Sequence, residues 1–172
     1  MFYKILKKFF FKKNVNNRLQ KQEPIFTHQK IKTIGLLVDE DYFLNTTGLV
    51  DEILKYGFAR EQIQVLVYKD RIKSKEAVNE PFLALRHISI SGEINKVEVI
   101  NFLEIPFDLL INYYEVSKYS LMLLSIKSKA TFKVGFDSID KRVNNLIISE
   151  EVDRYKEFTS ELFKYLKILN KI

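Results

Sequence analysis

Two rhythms of apolar residues run along this chain, and each predicts a different element. Residues 31–38 are almost continuously apolar and β-branched, as a strand buried on both faces requires. Residues 63–68, 87–91, 107–113, 131–136 and 146–148 read as further strands, with Leu109-Leu110-Ile111 the clearest buried run. Between them the spacing turns helical. Asn45 or Thr46 can cap a helix through residue 56, with Gly57 where a C′ glycine is expected. Short helices are predicted over 71–79, ended by Pro81, and over 96–103, stopped before Pro106. Ser117 caps a helix through 128. A long amphipathic helix over 151–169 presents Tyr155, Phe158, Leu162, Phe163, Leu166 and Leu169 to the sheet. Strands alternating with helices predict an α/β fold: a three-layer, Rossmann-like, mostly parallel sheet of about five to six strands, beginning with a βαβ unit.

The first 30 residues follow another rule. Residues 1–13 form a helical pattern with Phe2, Tyr3, Ile5, Leu6, Phe9 and Phe10 on one face and Lys4, Lys7, Lys8 and Lys12 on the other. Phe11 and Lys13 break the pattern. Residues 14–29 are polar, contain Pro24 and have no period, as a linker does. The expected organisation is a basic amphipathic helix with its linker over 1–30 and one α/β domain over 31–172.

Charge sharpens this division. The net charge is +6, but residues 1–32 hold nine basic residues and one acid, Glu23, while the rest of the chain holds 19 basic and 21 acidic residues. The whole positive excess lies in the leading segment, which points to an anionic partner for that segment and not for the body. Lys4, Lys7, Lys8, Lys12, Lys13 and Arg18, with Phe2, Phe9 and Phe10, are the candidate contacts. Such a helix suits anionic membrane headgroups, RNA or ribosome phosphates, or a groove on a protein partner. Its rings could equally dock on the chain's own body. No run of about 18 apolar residues predicts a transmembrane helix, and the early lysines interrupt any secretory signal. The expected location is the cytoplasm, with the inner face of the membrane within the arm's reach.

Candidate chemistry lies at strand ends, where open parallel sheets bind ligands. Asp39, Glu40 and Asp41 follow the first strand, Asn112, Tyr113, Tyr114 and Glu115 the fourth, and Asp137 the fifth. A parallel sheet puts them on one rim, where clustered carboxylates could take Mg²⁺; a solvated loop edge with capping acids is the plainer reading. Leu36 to Asp41 has the outline of a phosphatase strand and Asp-x-Asp, but Phe43 stands where such an enzyme needs threonine. A dinucleotide site needs Gly-x-Gly-x-x-Gly at the first turn, which here reads Asp39-Glu40-Asp41-Tyr42-Phe43-Leu44. Of five glycines, Gly35 and Gly135 fall inside strands, where close packing is the expected reason. His28 and His87 lack partners at metal or triad spacing, and no cysteine is present. No metal or cofactor is expected. Tyr113 and Tyr114 point to opposite faces, so core and rim packing is expected of them rather than a stacking platform.

Residues 32–40 (Lys-Thr-Ile-Gly-Leu-Leu-Val-Asp-Glu), 107–114 (Phe-Asp-Leu-Leu-Ile-Asn-Tyr-Tyr), 132–136, 144–148 and 166–171 resemble a family of small bacterial proteins known only as a domain of unknown function. That resemblance implies no activity. A fainter outline, Asp108 to Ile111 followed by Val134 to Phe136, is similar to the N-terminal half of heptosyltransferase-like glycosyltransferases. It implies half of such an enzyme, without the donor-binding domain. The expectation is a non-catalytic adaptor or scaffold brought by its arm to an anionic surface. The alternative is a small metal- or ligand-binding enzyme using the acidic rim.

Overall fold

A computed structural model describes residues 12–13, 16–17, 29–70, 80–89 and 91–172. The continuous apolar runs become central strands, because only full burial on both faces matches such a composition. Every residue of β1 (Ile34–Asp39), β4 (Leu109–Tyr113) and β5 (Phe132–Phe136) is buried. With β2 (Ile63–Lys69), β3 (Phe82–Ala84) and β6 (Leu146–Ile148) they form a six-stranded sheet in the order β3-β2-β1-β4-β5-β6. All five strand pairings are parallel. The chain steps outward from β1 in one direction, then from β4 in the other, so the order reverses between these two strands.

The two-residue period of each strand feeds two cores. Leu36, Val38, Val65, Val67, Ile111, Tyr113, Val134 and Phe136 meet α1 (Thr46–Leu54) and α4 (Tyr155–Ile168). Leu37, Leu66, Tyr68, Leu110 and Tyr114 meet α2 (Val97–Glu104) and α3 (Tyr119–Lys127). Tyr113 and Tyr114 therefore enter opposite cores, as strand alternation requires. Gly35 serves close packing: a Cβ there would lie 2.7 Å from the Phe107 ring. Asn45 caps α1 by accepting from the Gly48 N–H at 3.1 Å. Gly57, just past that helix, has φ 93°, a conformation glycine adopts without strain.

Three expectations need correction. The third strand is residues 82–84, not 87–91. Pro81 has no N–H to give, but its carbonyl accepts from the Val67 N–H at 2.9 Å, which starts the edge strand there. Residues 85–87 then turn as a 3-10 segment, and Ile88 makes only an isolated antiparallel bridge with Ile94. The helix expected from Ser117 begins at Tyr119 after Lys118, without a side-chain cap. Leu169 does not reach the sheet: Phe158, Leu162, Phe163 and Leu166 are buried, whereas Leu169 is 45% exposed beyond the end of α4. The short helix expected over 71–79 lies outside the described residues. So does most of the leading segment, of which Lys12, Lys13, Asn16 and Asn17 are described as helical.

The first and fourth strands are also tied at their N-terminal ends. Asp108 Oδ2 accepts from the backbone N–H groups of Lys32 (2.9 Å) and Thr33 (3.0 Å) and from the Thr33 hydroxyl (3.1 Å). Its Oδ1 accepts from Gln29 Nε2 at 2.9 Å.

Candidate functional site

The reversal of strand order between β1 and β4 opens a crevice beyond their carboxyl ends, the usual ligand position in such sheets. Here that position is closed by one lysine. Lys118, on the loop between β4 and α3, sends its ammonium to within 2.9 Å of Asp39 Oδ1 and Oδ2 and 2.5 Å of Asp41 Oδ2. Asp70 Oδ2, at the end of β2, lies 3.7 Å away. The rings of Tyr42 and Tyr68 flank the same ammonium at 4.9 and 5.1 Å. The acids are tied to each other as well. The Asp70 N–H donates to Asp41 (2.9 Å), the Asp41 N–H to Asp39 (3.2 Å), and the Tyr68 hydroxyl to Asp70 (2.6 Å). Glu40 is held separately, by Lys69 at 3.1 Å and the Thr46 hydroxyl at 3.3 Å.

Burial pushes the Asp39 carboxyl above its ordinary value, and Lys118 only partly offsets this. Burial also opposes charge on Lys118, but its bonds to Asp41 and Asp39 outweigh that, so its ammonium is held above its ordinary range. The contact thus holds the Lys118 ammonium in its charged form, while for Asp39 it offsets only part of the cost of burial. Sequence reasoning missed Lys118 entirely. A signal was present: a cation just before a helix N-terminus faces an unfavourable dipole, so it needs a stronger local reason to be there.

The remaining rim candidates do not join this cluster. Glu115 accepts from the Val152 N–H at 3.1 Å, and the Ser138 hydroxyl donates to its carbonyl at 2.8 Å. Asp137 accepts from the Ser149 hydroxyl at 2.5 Å. These two acids brace the loops that follow β4, β5 and β6. Asn112 and Tyr114 lie wholly beneath α3. Asn112 Nδ2 donates to Ser125 Oγ (2.8 Å) and Asn144 Oδ1 (2.7 Å), and Tyr114 fills the second core. Of the arm's candidates, Lys12 and Lys13 are exposed; Phe2, Lys4, Lys7, Lys8, Phe9, Phe10 and Arg18 lie outside the described residues. Arg142 donates to Asn16 at 3.4 Å, placing that residue beside the turn before β6.

The same geometry works against phosphate at the first turn. The place where a pyrophosphate would meet the N-terminus of α1 holds the Asn45 side chain, within 2.5–2.8 Å of a Cβ built on Gly48. Asp39, Glu40 and Asp41 stand beside it. Among the described residues no group of three His, Asp or Glu is arranged to hold a metal ion. The point to which Asp39 and Asp41 converge is taken by an ammonium.

A second buried cation escaped sequence reasoning. Lys133 on β5 is 7% exposed and donates to the Ser125 carbonyl at 2.5 Å, in the last turn of α3. Its charge therefore serves the negative end of that helix. Burial pushes its ammonium down to about 8 from an ordinary 10.5. The folded-state value is the lower one, so the penalty for carrying charge is full below about pH 8 and fades as pH rises toward 10.5. The parent's stability relative to Lys133→Met should accordingly rise across that interval, by up to about 3 kcal/mol. Urea unfolding at a series of pH values, with a ¹³Cε NMR titration of Lys133, checks this.

Strand order, parallel pairing and helices on both faces define an α/β protein with a Rossmann-like sheet. The chain belongs to a family of unknown function, DUF6913, whose profile matches residues 7–169. It matches no curated protein and no solved structure, so the outline shared with heptosyltransferase-like enzymes gains no support. No helix among the described residues is long and apolar enough to cross a membrane.

Proposed function

We propose that this chain is a non-catalytic α/β adaptor whose body is carried to an anionic surface by its basic leading segment. The division of charge carries the reading: nine basic residues against one acid in residues 1–32, beside a body with a slight acidic excess. Such a segment draws the chain to clustered phosphates, from lipid headgroups or from RNA, while the body gives no competing attraction. The switch point supports the non-catalytic half. Its acids already hold Lys118 and Lys69, which weighs against the reading of the rim as a metal or ligand site.

The test uses the full chain and a variant with Lys4, Lys7, Lys8, Lys12 and Lys13 replaced by glutamine. Vesicle flotation and RNA pull-down are run side by side at low and high salt. The parent should bind at least one of the two surfaces in a salt-sensitive way, and the variant should lose that binding. Equal behaviour of the two chains would remove the case for the segment.

A further inference from the structure

The last residue of the leading segment, Lys30, meets the body at one particular corner. Lys30 donates from its ammonium to Asn170 Oδ1 (3.0 Å) and to the Ile172 carbonyl (2.9 Å), and the Ile31 N–H donates to the Lys171 carbonyl (2.8 Å). The corner where Lys30 and Ile31 lead into the sheet is therefore also the end of α4. Ile31 precedes β1, so this corner lies at the edge where the strands begin, opposite the switch point.

Large apolar side chains stand exposed at this corner. Tyr165 is 37% exposed, Ile168 69% and Leu169 45%. At spacings of three and four they form one stripe along the end of α4. Cations flank it. Lys164 pairs with Glu161 at 3.1 Å, Lys30 is held by Asn170 and the Ile172 oxygen, and Lys167 has no carboxylate partner among the described residues. Elsewhere among the described residues, Tyr42 and Leu44 belong to the Asp39–Asp41 turn, Val97 and Ile100 lie beside both Lys96 and Glu98, and Tyr56 stacks singly on Phe163. Among these, the stripe on α4 joins several exposed apolar side chains to several cations at one helix end, a combination that suits an anionic surface.

We propose that the end of α4, through Tyr165, Ile168 and Leu169 with Lys30, Lys164 and Lys167, is a second contact with an anionic lipid bilayer. This deepens the adaptor reading and rests on it. Lipid is favoured over RNA by the chemistry of the stripe. Ile168 and Leu169 have no group that bonds to phosphate and no ring on which a base stacks, but both gain by entering the acyl boundary. Tyr165 suits the headgroup level, with an apolar ring and a polar tip. The arrangement also fixes an orientation. The edge where strands begin faces the bilayer, and the Lys118 rim faces away from it.

The experiment uses the full chain and vesicles of phosphatidylcholine with phosphatidylglycerol. Ile168→Ser/Leu169→Ser removes the stripe without touching charge, and both residues are exposed, so its thermal unfolding should match the parent's. Its vesicle affinity should fall about tenfold or more. The chain contains no tryptophan, so Leu169→Trp in the otherwise unchanged chain gives a single reporter. Its emission should shift to the blue on adding vesicles and be quenched by brominated lipid. Parental affinity of the serine variant, or an unchanged Leu169→Trp spectrum while the chain is vesicle-bound, would overturn the α4 contact and leave the arm's role standing. Loss of binding in the serine variant but not in the five-lysine variant would keep the α4 contact and overturn the arm's role. Binding to single-stranded RNA with none to vesicles would overturn the bilayer.

Discussion

Lys118→Met is expected to destabilise the folded body by about 3–5 kcal/mol near neutral pH, the range typical for removing one partner of a buried ion pair. The Asp39 side chain is 2% exposed and that of Lys118 13%. Without the ammonium, Asp39 keeps its buried charge and loses its main counter-ion, and Asp41 loses its nearest one. The effect has a pH signature that a mere packing defect lacks. Burial already raises the Asp39 carboxyl, and Lys118 is the main influence opposing that rise. In the variant the carboxyl climbs further. A carboxyl whose folded-state pKa is raised burdens the fold at high pH, and that burden is relieved as pH falls and the group takes up a proton. Urea unfolding should therefore show a larger deficit at pH 8 than at pH 5. Adding Asp39→Leu should recover most of the loss, because replacing a buried pair on both sides is far milder than breaking it. A deficit that is the same at both pH values would show that Lys118 acts through packing alone.

Asp108→Ala should cost about 3 kcal/mol or more, and it should act at the opposite edge of the sheet. Two backbone N–H groups, of Lys32 and Thr33, and two side-chain donors, from Thr33 and Gln29, converge on this one carboxylate. Removing it strands both N–H groups in a half-buried place, each worth about 1–3 kcal/mol when left unpaired. The loss should be local first. Hydrogen exchange at the Lys32 and Thr33 amides should quicken more than exchange in the middle of β1, whose ladder to β2 and β4 survives. Unaltered protection of those two amides would refute the staple.

The central strands were legible because burial on both faces leaves a continuous apolar run, and residues 31–38, 63–68 and 109–111 all show one. Gly57 and the Asn45 cap were legible because backbone conformation and capping are local. The edge strand was not. His87 to Ser91 alternates as a strand does, yet its residues pair with their own near neighbours, 93–95, and the sheet takes the less patterned residues 82–84 instead. At an edge, only three residues pair with β2, so local pattern carries little weight against the position of Pro81. The rim was half legible. The acids were identified from their places after strands, but their fates diverge, with Asp39 and Asp41 on Lys118 and Glu115 and Asp137 bracing loops.

By itself the sequence determined the class of fold, the separation of a basic arm from a near-neutral body, and the absence of a glycine-rich phosphate cradle at the first turn. Each follows from short-range chemistry: periodicity, charge count, or the conformations a residue type allows. Only the tertiary structure decided the strand order, the closure of the switch point by Lys118, the burial of Lys133 against the end of α3, and the meeting of Lys30 with the end of α4. These pair groups far apart along the chain, Lys118 with Asp39 and Lys30 with Asn170. Which distant charges meet is set by how strands and helices stack, and no local pattern records that.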